Sequence, residues 1–121
     1  MFKLIETEID LEEASLKLKD ELLVACDLES SELDVKKAKV EGVGFGIKEM
    51  QYFIPYPNKI DSEKVNNFLM NLFTKTVIFH NAKFDLKLLT YNKFPIPEDI
   101  HDTMIMSWLV DENSQHGLKH L

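Results

Sequence analysis

The sequence contains a single cysteine, no arginine and no apolar run near the ~18 residues that a membrane-spanning helix needs. One cysteine cannot form an intramolecular disulfide, and Cys26 lies in an apolar run, 22–26, that is typical of a buried thiol. The amino terminus turns acidic at Glu6 and Glu8 and does not enter the apolar segment of a signal peptide. These absences predict a cytoplasmic protein that has no membrane partner.

Positive charge is also scarce, because 14 lysines stand against 21 acidic residues and the net charge is −7. A protein that holds duplex DNA by neutralising phosphates needs an excess of basic residues, so this class is disfavoured. An acidic chain can still act on nucleic acid if its carboxylates hold metal ions and thereby form a cationic site. The 121 residues, of which 45% are hydrophobic, suffice for one domain with a modest core, and we take 1–121 as that domain.

Hydrophobic periodicity predicts a mixed α/β fold in the order β-α-β-β-β-α-β-α-α. The strands are predicted at residues 2–5, 22–27, 40–47, 51–55 and 76–79. The helices are predicted to begin at an Asp10 cap, at an Asp61 cap, at residue 82, and at Asp102 or Thr103. The last helix is expected to turn four apolar side chains inward, those of Met104, Ile105, Trp108 and Leu109.

Two of the predicted strands carry further expectations. The run 22–27 is continuously apolar until it ends in an acid, which favours a strand buried on both faces. Along residues 40–47, apolar side chains alternate with glycines, so one face of that strand is apolar and the other has no side chains. Such a glycine face predicts the close approach of another backbone.

The first candidate site is the sequence Asp27-Leu28-Glu29, at the end of the apolar run 22–27. Residues two apart on a strand project to the same side at roughly 6–7 Å, so both carboxylates could bind one hard cation or a close metal pair. The alternative is an ordinary solvated strand end, which a chain rich in acidic residues produces easily.

The second candidate site follows the strand 76–79 and includes His80, Asn81 and Asp85. Asn81 and Asp85 are four residues apart, so a helix places them on one face, where they could face the first acidic pair. The alternative is that Asn81 is only a helix cap and Asp85 a solvated carboxylate in the first turn.

Two weaker candidates lie nearer the carboxyl end of the chain. His101-Asp102-Thr103 is expected to be a helix cap in which Asp102 bonds to backbone amides and supports the site without binding metal. His116 and His120 have a helical metal-binding spacing but no third ligand, so a zinc site is disfavoured.

Together these motifs resemble the proofreading 3'-5' exonuclease domain of family A DNA polymerase I proteins, in the DEDD exonuclease superfamily. The resemblance depends on order as well as content: Asp-x-Glu at 27–29, a glycine hairpin at 42–47, Asn-x-x-Phe-Asp at 81–85, Asp-Thr-Met at 102–104, and His-Gly-Leu-Lys at 116–119. It implies a ribonuclease H-like mixed sheet with flanking helices, incomplete at the carboxyl end.

The resemblance also implies a reaction, cofactors and partners. The complete domain of this family hydrolyses the 3'-terminal phosphodiester of single-stranded DNA with two Mg²⁺ or Mn²⁺ ions and works beside a polymerase domain. By the same resemblance Asp27 would bind both ions, Glu29 one of them, and Asp85 the second, partly through water. Asn81 would position the substrate strand.

Further substrate contacts are implied at Leu33, where the family places an apolar wedge, at His80 beside the end nucleotide, and at Leu28. Leu33 has an alternative as a loop leucine that covers the core, and His80 as a satisfied histidine at a strand end.

The third motif of the family, Tyr-x-x-x-Asp or in a sister branch His followed five positions on by Asp, is not found after residue 119. His80 and Asp85 have the second spacing, but they lie within the second motif. The resemblance therefore predicts that one metal ligand is missing and that this 121-residue chain is inactive. Two alternatives stay open: a free-standing exonuclease of the His-containing branch, or a non-catalytic remnant that braces a polymerase.

Overall fold

The computed structural model describes residues 1–103, which form a mixed six-stranded sheet with three helices. The elements are β1 (Phe2–Leu4), α1 (Glu8–Leu18), β2 (Leu23–Ser30), β3 (Val40–Gly46), β4 (Gln51–Pro55), α2 (Ser62–Leu72), β5 (Thr76–Phe79), α3 (Ala82–Tyr91) and β6 (Asp99–Asp102). This architecture confirms the predicted mixed α/β fold.

The strand order across the sheet is β1-β4-β3-β2-β5-β6. β3 runs antiparallel to both of its neighbours, whereas β2, β5 and β6 pair in parallel. The carboxyl ends of β2, β5 and β6 therefore meet at one edge of the sheet. The acidic and polar motifs of the sequence lie at or just after these carboxyl ends.

The core lies on one face of the sheet. Buried and exposed side chains alternate along β2. Val24, Cys26 and Leu28 are buried, and the residues between them, Ala25 and Asp27, are exposed. The buried residues of all three helices join the inward residues of the strands in a single cluster. The expectation that β2 is buried on both faces is thus wrong for residues 1–103, because α1, α2 and α3 all pack against the same side.

The opposite face of β2 borders a groove of about 720 Å³ that Leu23, Ala25 and Phe53 help to line. The predicted buried thiol is confirmed, since Cys26 belongs to the core and burial raises its pKa. None of the helices within residues 1–103 has the length and apolar character needed to cross a membrane.

Local capping explains where α1 and α2 begin. Asp61 caps α2 as predicted, because its side chain accepts a hydrogen bond from the Glu63 amide. The cap of α1 is Thr7 and not Asp10. Asp10 occupies the third helical position, where its carboxylate accepts from the amides of Glu6 and Thr7 and completes a capping box.

The strand β6 was not predicted. Residues Asp99–Asp102 extend the sheet by pairing in parallel with β5, and Asp102 lies opposite Phe79. Asp102 therefore ends a strand, and Thr103, the other predicted start of the last helix, is the first helical residue after it. The inward residues of that predicted helix, the pair His116 and His120, and the His-Gly-Leu-Lys segment lie outside the described residues.

Candidate metal centre

Asp27 and Glu29 lie on the exposed face of β2, within its last four residues. The strand continues to Ser30, so the two acids are part of it and do not follow its end. Their register partners in β3 are Gly44 and Gly42. Because these partners have no side chains, neither acid has a cross-strand side chain directly opposite it.

Asp85 is the one charged residue that is buried within residues 1–103, with 6% of its surface exposed. Burial is the main cause that raises its pKa to about 7, and the charge of Asp27 is the second. A hydrogen bond from the Leu28 backbone opposes these effects, and the charges of Asp102 and Glu29 add to them. The alternative interpretation of Asp85 as a solvated carboxylate in the first turn is therefore wrong.

One oxygen of Asp85 has no partner. Oδ2 is buried and makes no hydrogen bond, and it is the single such side-chain atom among residues 1–103. A buried acceptor without a donor costs on the order of 1–3 kcal/mol. A cation bound at this oxygen would offset that cost.

The turn that leads into α3 has an uncommon backbone. Asn81 stands at the cap position in the left-handed region, with φ 72°, and its side chain makes no capping hydrogen bond. Asp102 supplies the cap, because its two carboxylate oxygens accept from the amides of Asn81 (3.1 Å) and Ala82 (2.8 Å). Asp102 does bond to backbone amides as predicted, but these amides belong to α3.

Thr103 makes a second contact with this turn. Its hydroxyl donates to the carbonyl of Phe79 (3.3 Å) and lies 2.7 Å from Nδ1 of His80. The hydroxyl has a single hydrogen, so the tautomer of His80 decides whether Nδ1 donates to this oxygen or accepts from it. The imidazole of His80 itself is exposed.

The two leucines of the predicted site differ in position. Leu33 lies in the loop between β2 and β3 and is 92% exposed, so it does not cover the core. Leu28 is 8% exposed and points into the core, away from the face that carries Asp27 and Glu29. The structure therefore does not place the Leu28 side chain with the other site residues, although the Leu28 backbone reaches Asp85.

The loop that carries Leu33 is tied to the end of α3 by Asn92. The Asn92 side chain accepts from the Val40 amide (3.3 Å) and donates to the carbonyls of Ala38 (3.1 Å) and Leu88 (2.9 Å). Asn92 was not identified from the sequence, and Thr103 was identified only as part of the expected helix cap at 101–103. Asn92 gives no signal there because its partners on the loop are 52 and 54 residues away.

Asp27 and Glu29 lie near the carboxyl end of β2, and Asp85 lies in the first turn of α3, near enough for the charges of both acids to raise its pKa. Within residues 1–103, no three histidine, cysteine, aspartate or glutamate side chains form a group ready to hold a metal ion. The donors nevertheless fit a hard divalent cation, since all three are carboxylates and one has an unpartnered buried oxygen. His101 and Asp99 form a separate surface pair, with Nε2 and Oδ1 3.9 Å apart, and do not belong to this group of three carboxylates.

Comparison with known proteins gives both a family and a fold. A family model described as 3'-5' exonuclease matches residues 2–121. The DNA polymerase I of Borreliella burgdorferi is 36% identical over 128 residues, which cover 99% of this chain and 14% of that protein. The chain thus spans about a seventh of the length of this relative.

Among solved structures, Escherichia coli RNase D has a TM-score of 0.73 at 16% identity, covering 94% of this chain and 33% of that one. Brucella melitensis NrnC with bound Mg²⁺ has a TM-score of 0.69 at 22% identity, covering 98% and 57%. The structural neighbours are DEDD exonucleases, so the predicted ribonuclease H-like fold is confirmed.

Proposed function

The chain belongs to the 3'-5' exonuclease family of DNA polymerase I, and from this premise we propose that it removes nucleotides from the 3' end of single-stranded DNA. The proposal takes residues 1–121 as part of a proofreading domain that works beside a polymerase domain. The site comprises Asp27, Glu29 and Asp85, with divalent cations as cofactors.

One observation carries this proposal: the buried carboxylate of Asp85, with one oxygen unpartnered, next to the exposed acids of β2. A carboxylate kept in this position weakens the fold unless a cation or a proton neutralises it. Packing gives no reason for three acids to share one sheet edge. A structurally similar exonuclease, NrnC of Brucella melitensis, has been solved with Mg²⁺, which favours the same class of cofactor here.

Divalent ions bound by these carboxylates would activate water and stabilise the oxygen that leaves phosphorus. Asp27 and Glu29 would hold them from the open face of β2, and Asp85 would bind through Oδ2 from the start of α3. Hydrolysis breaks the bond between phosphorus and the 3' oxygen of the preceding nucleotide. The products are a nucleoside 5'-monophosphate and a strand shorter by one nucleotide.

Three exposed residues would position the strand. His80 uses Nδ1 in its contact with Thr103, so Nε2 is the ring nitrogen that would reach the hydroxyl of a terminal sugar. Asn81 lies next to it on the same turn, and Leu33 presents an apolar side chain on the loop that Asn92 fixes. Apolar contact of this kind suits the faces of unpaired bases.

A chimera tests the activity. The family's third motif is not among residues 1–121, so we expect this chain alone to be inactive. The chain would be followed by the segment that continues the matched region in Borreliella burgdorferi DNA polymerase I. With Mg²⁺ or Mn²⁺ we expect a 5'-labelled oligonucleotide to give a ladder and a 3'-labelled one to release a labelled mononucleotide at once.

The variants Asp27→Asn and Asp85→Asn should abolish digestion by the chimera, and Asp61→Asn, which alters a distant helix cap, should not. A folded chimera that digests nothing would favour the alternative of a non-catalytic brace. An RNA oligonucleotide of the same sequence separates the substrate classes. Faster digestion of RNA than of DNA would place the chain functionally with exoribonucleases such as RNase D.

A further inference from the structure

The amino terminus of α3 is capped by a residue from another strand. Helix caps come mostly from the residue that precedes the helix, as Asp61 does for α2. At α3 that residue is Asn81, whose side chain makes no cap and whose backbone is left-handed. Asp102, at the end of β6, occupies the position instead and accepts from two successive amides.

This cap is connected to Asp85 by one helical turn. The carbonyl of Asn81 accepts a hydrogen bond from the Asp85 amide at 3.4 Å. This carbonyl belongs to the same peptide unit as the Ala82 amide, which donates to Asp102. The Leu28 backbone and the charges of Asp27 and Glu29 in β2 act on the Asp85 carboxylate, so this side chain reaches from α3 toward β2.

We propose that Asp102 is a positioning residue for Asp85: its carboxylate holds the Asn81–Ala82 turn so that Oδ2 of Asp85 faces the acids of β2. The proposal rests on the proposed function in one respect, namely that Asp85 is a metal ligand. Both oxygens of Asp102 accept backbone amides, which suits this carboxylate to hold a turn.

Thr103 gives independent support for this role of β6. It contacts Phe79 and His80, the two residues before Asn81, so the end of β6 holds four successive residues of the β5–α3 connection. A left-handed backbone is uncommon for a residue other than glycine, and such a turn persists where neighbouring contacts fix it. Asp102 and Thr103 supply these contacts.

The first test needs no metal and uses the amide resonance of Leu28 in the ¹⁵N spectrum of the 121-residue chain. Asp85→Ala removes the carboxylate that the Leu28 backbone acts on and supplies the reference for its loss. We expect Asp102→Ala to move the Leu28 resonance toward that reference, because Asp85 is displaced. Asp61→Ala, which removes the same side chain from the cap of α2, should leave the resonance in place.

The second test measures Mn²⁺ binding by calorimetry on the same proteins. Loss of a residue that orients a metal ligand typically weakens affinity by about 10–100-fold, so this range is expected for Asp102→Ala and no change for Asp61→Ala. Asp102→Asn retains one acceptor for the two amides and should be intermediate in both tests. It also serves if Asp102→Ala does not fold.

The two tests keep the two proposals apart. A wild-type chain that binds no Mn²⁺ would remove the metal-site proposal, while the Leu28 resonance still decides the role of Asp102. An unchanged Leu28 resonance in both Asp102 variants would overturn the positioning role. So would wild-type Mn²⁺ affinity in the Asp102 variants.

Discussion

The carboxyl group of Asp85 is buried beside two other acidic side chains and leaves Oδ2 without a hydrogen-bond partner. Its pKa rises from 3.8 to about 7, so the folded protein keeps a proton that the unfolded chain releases between about pH 4 and pH 7. The free energy of unfolding therefore falls as the pH rises through this range. The pKa change sets an upper bound of roughly 4 kcal/mol on the loss.

Replacing Asp85 with asparagine should remove this pH-dependent fall in the free energy of unfolding. In EDTA at pH 8 we expect Asp85→Asn to be more stable than the wild type by about 1–3 kcal/mol. At pH 4, where the wild-type group is protonated, the two proteins should be nearly equal. Urea unfolding at both pH values measures the difference, and the exposed Asp20→Asn is the matched control. A lower stability of Asp85→Asn at pH 8 would contradict the account of this group.

At the scale of elements, the glycines of β3 differ in how closely the neighbouring backbone approaches them. A Cβ on Gly46 would lie 2.9 Å from the carbonyl oxygen of Met50, which belongs to the backbone of the hairpin. A Cβ on Gly44 would lie 3.4 Å from the carbonyl oxygen of Asp27, which is ordinary contact. At Gly42 the nearest group is the ring of Phe53, so the predicted approach of a backbone does not apply there.

These distances predict opposite outcomes for two equivalent substitutions. Gly46→Ala should lower the free energy of unfolding by about 1–3 kcal/mol, because the backbone of the hairpin must shift. Gly44→Ala should change it by less than about 0.5 kcal/mol, since room for a methyl group exists. Denaturant titration of the two variants measures both values. Equal destabilisation by both would show that the backbone spacing described for β3 is wrong.

Elements with strong periodicity could be predicted, and short or remote features could not. The bounds of β4 and β5 and the start of α3 match the prediction because each segment has enough apolar residues in a regular pattern. β6 has four residues and a single apolar one, and it is a strand because β5 offers it a parallel partner.

The same distinction holds at the site. The motifs predict Asp27, Glu29 and Asp85 at a common edge, because the carboxyl ends of parallel strands meet there. The burial of Asp85 follows from the packing of α3 on the sheet, and the cap by Asp102 joins residues about twenty positions apart. Tertiary contacts of this kind leave no local pattern in the sequence.

At the scale of the whole molecule, a net charge of −7 opposes the approach of a nucleic acid. Basic residues that neutralise phosphates supply most of the nonspecific affinity of nucleic-acid-binding proteins, and this chain has an excess of acids. Cations held by the carboxylate edge would replace a positive surface. Binding of an oligonucleotide should therefore depend on divalent metal.

Removal of metal provides the corresponding test. In fluorescence anisotropy at constant ionic strength, we expect the Kd of a labelled single-stranded oligonucleotide to rise at least about 10-fold when EDTA replaces Mn²⁺. Asp27→Asn in Mn²⁺ should resemble the wild type in EDTA. Equal affinity with and without metal would mean that lysines hold the strand and that the acidic edge is not its binding site.

The central claim is that Asp27, Glu29 and Asp85 form one divalent-cation site, and Mn²⁺ binding followed by electron paramagnetic resonance tests it most directly. The account predicts weak saturable binding to the wild type, because three carboxylates supply few ligands. It predicts loss of that binding in Asp27→Asn and in Asp85→Asn. The Asp61→Asn control should bind Mn²⁺ as the wild type does. Wild-type binding in all three variants, or no saturable binding to a folded wild type, would contradict it.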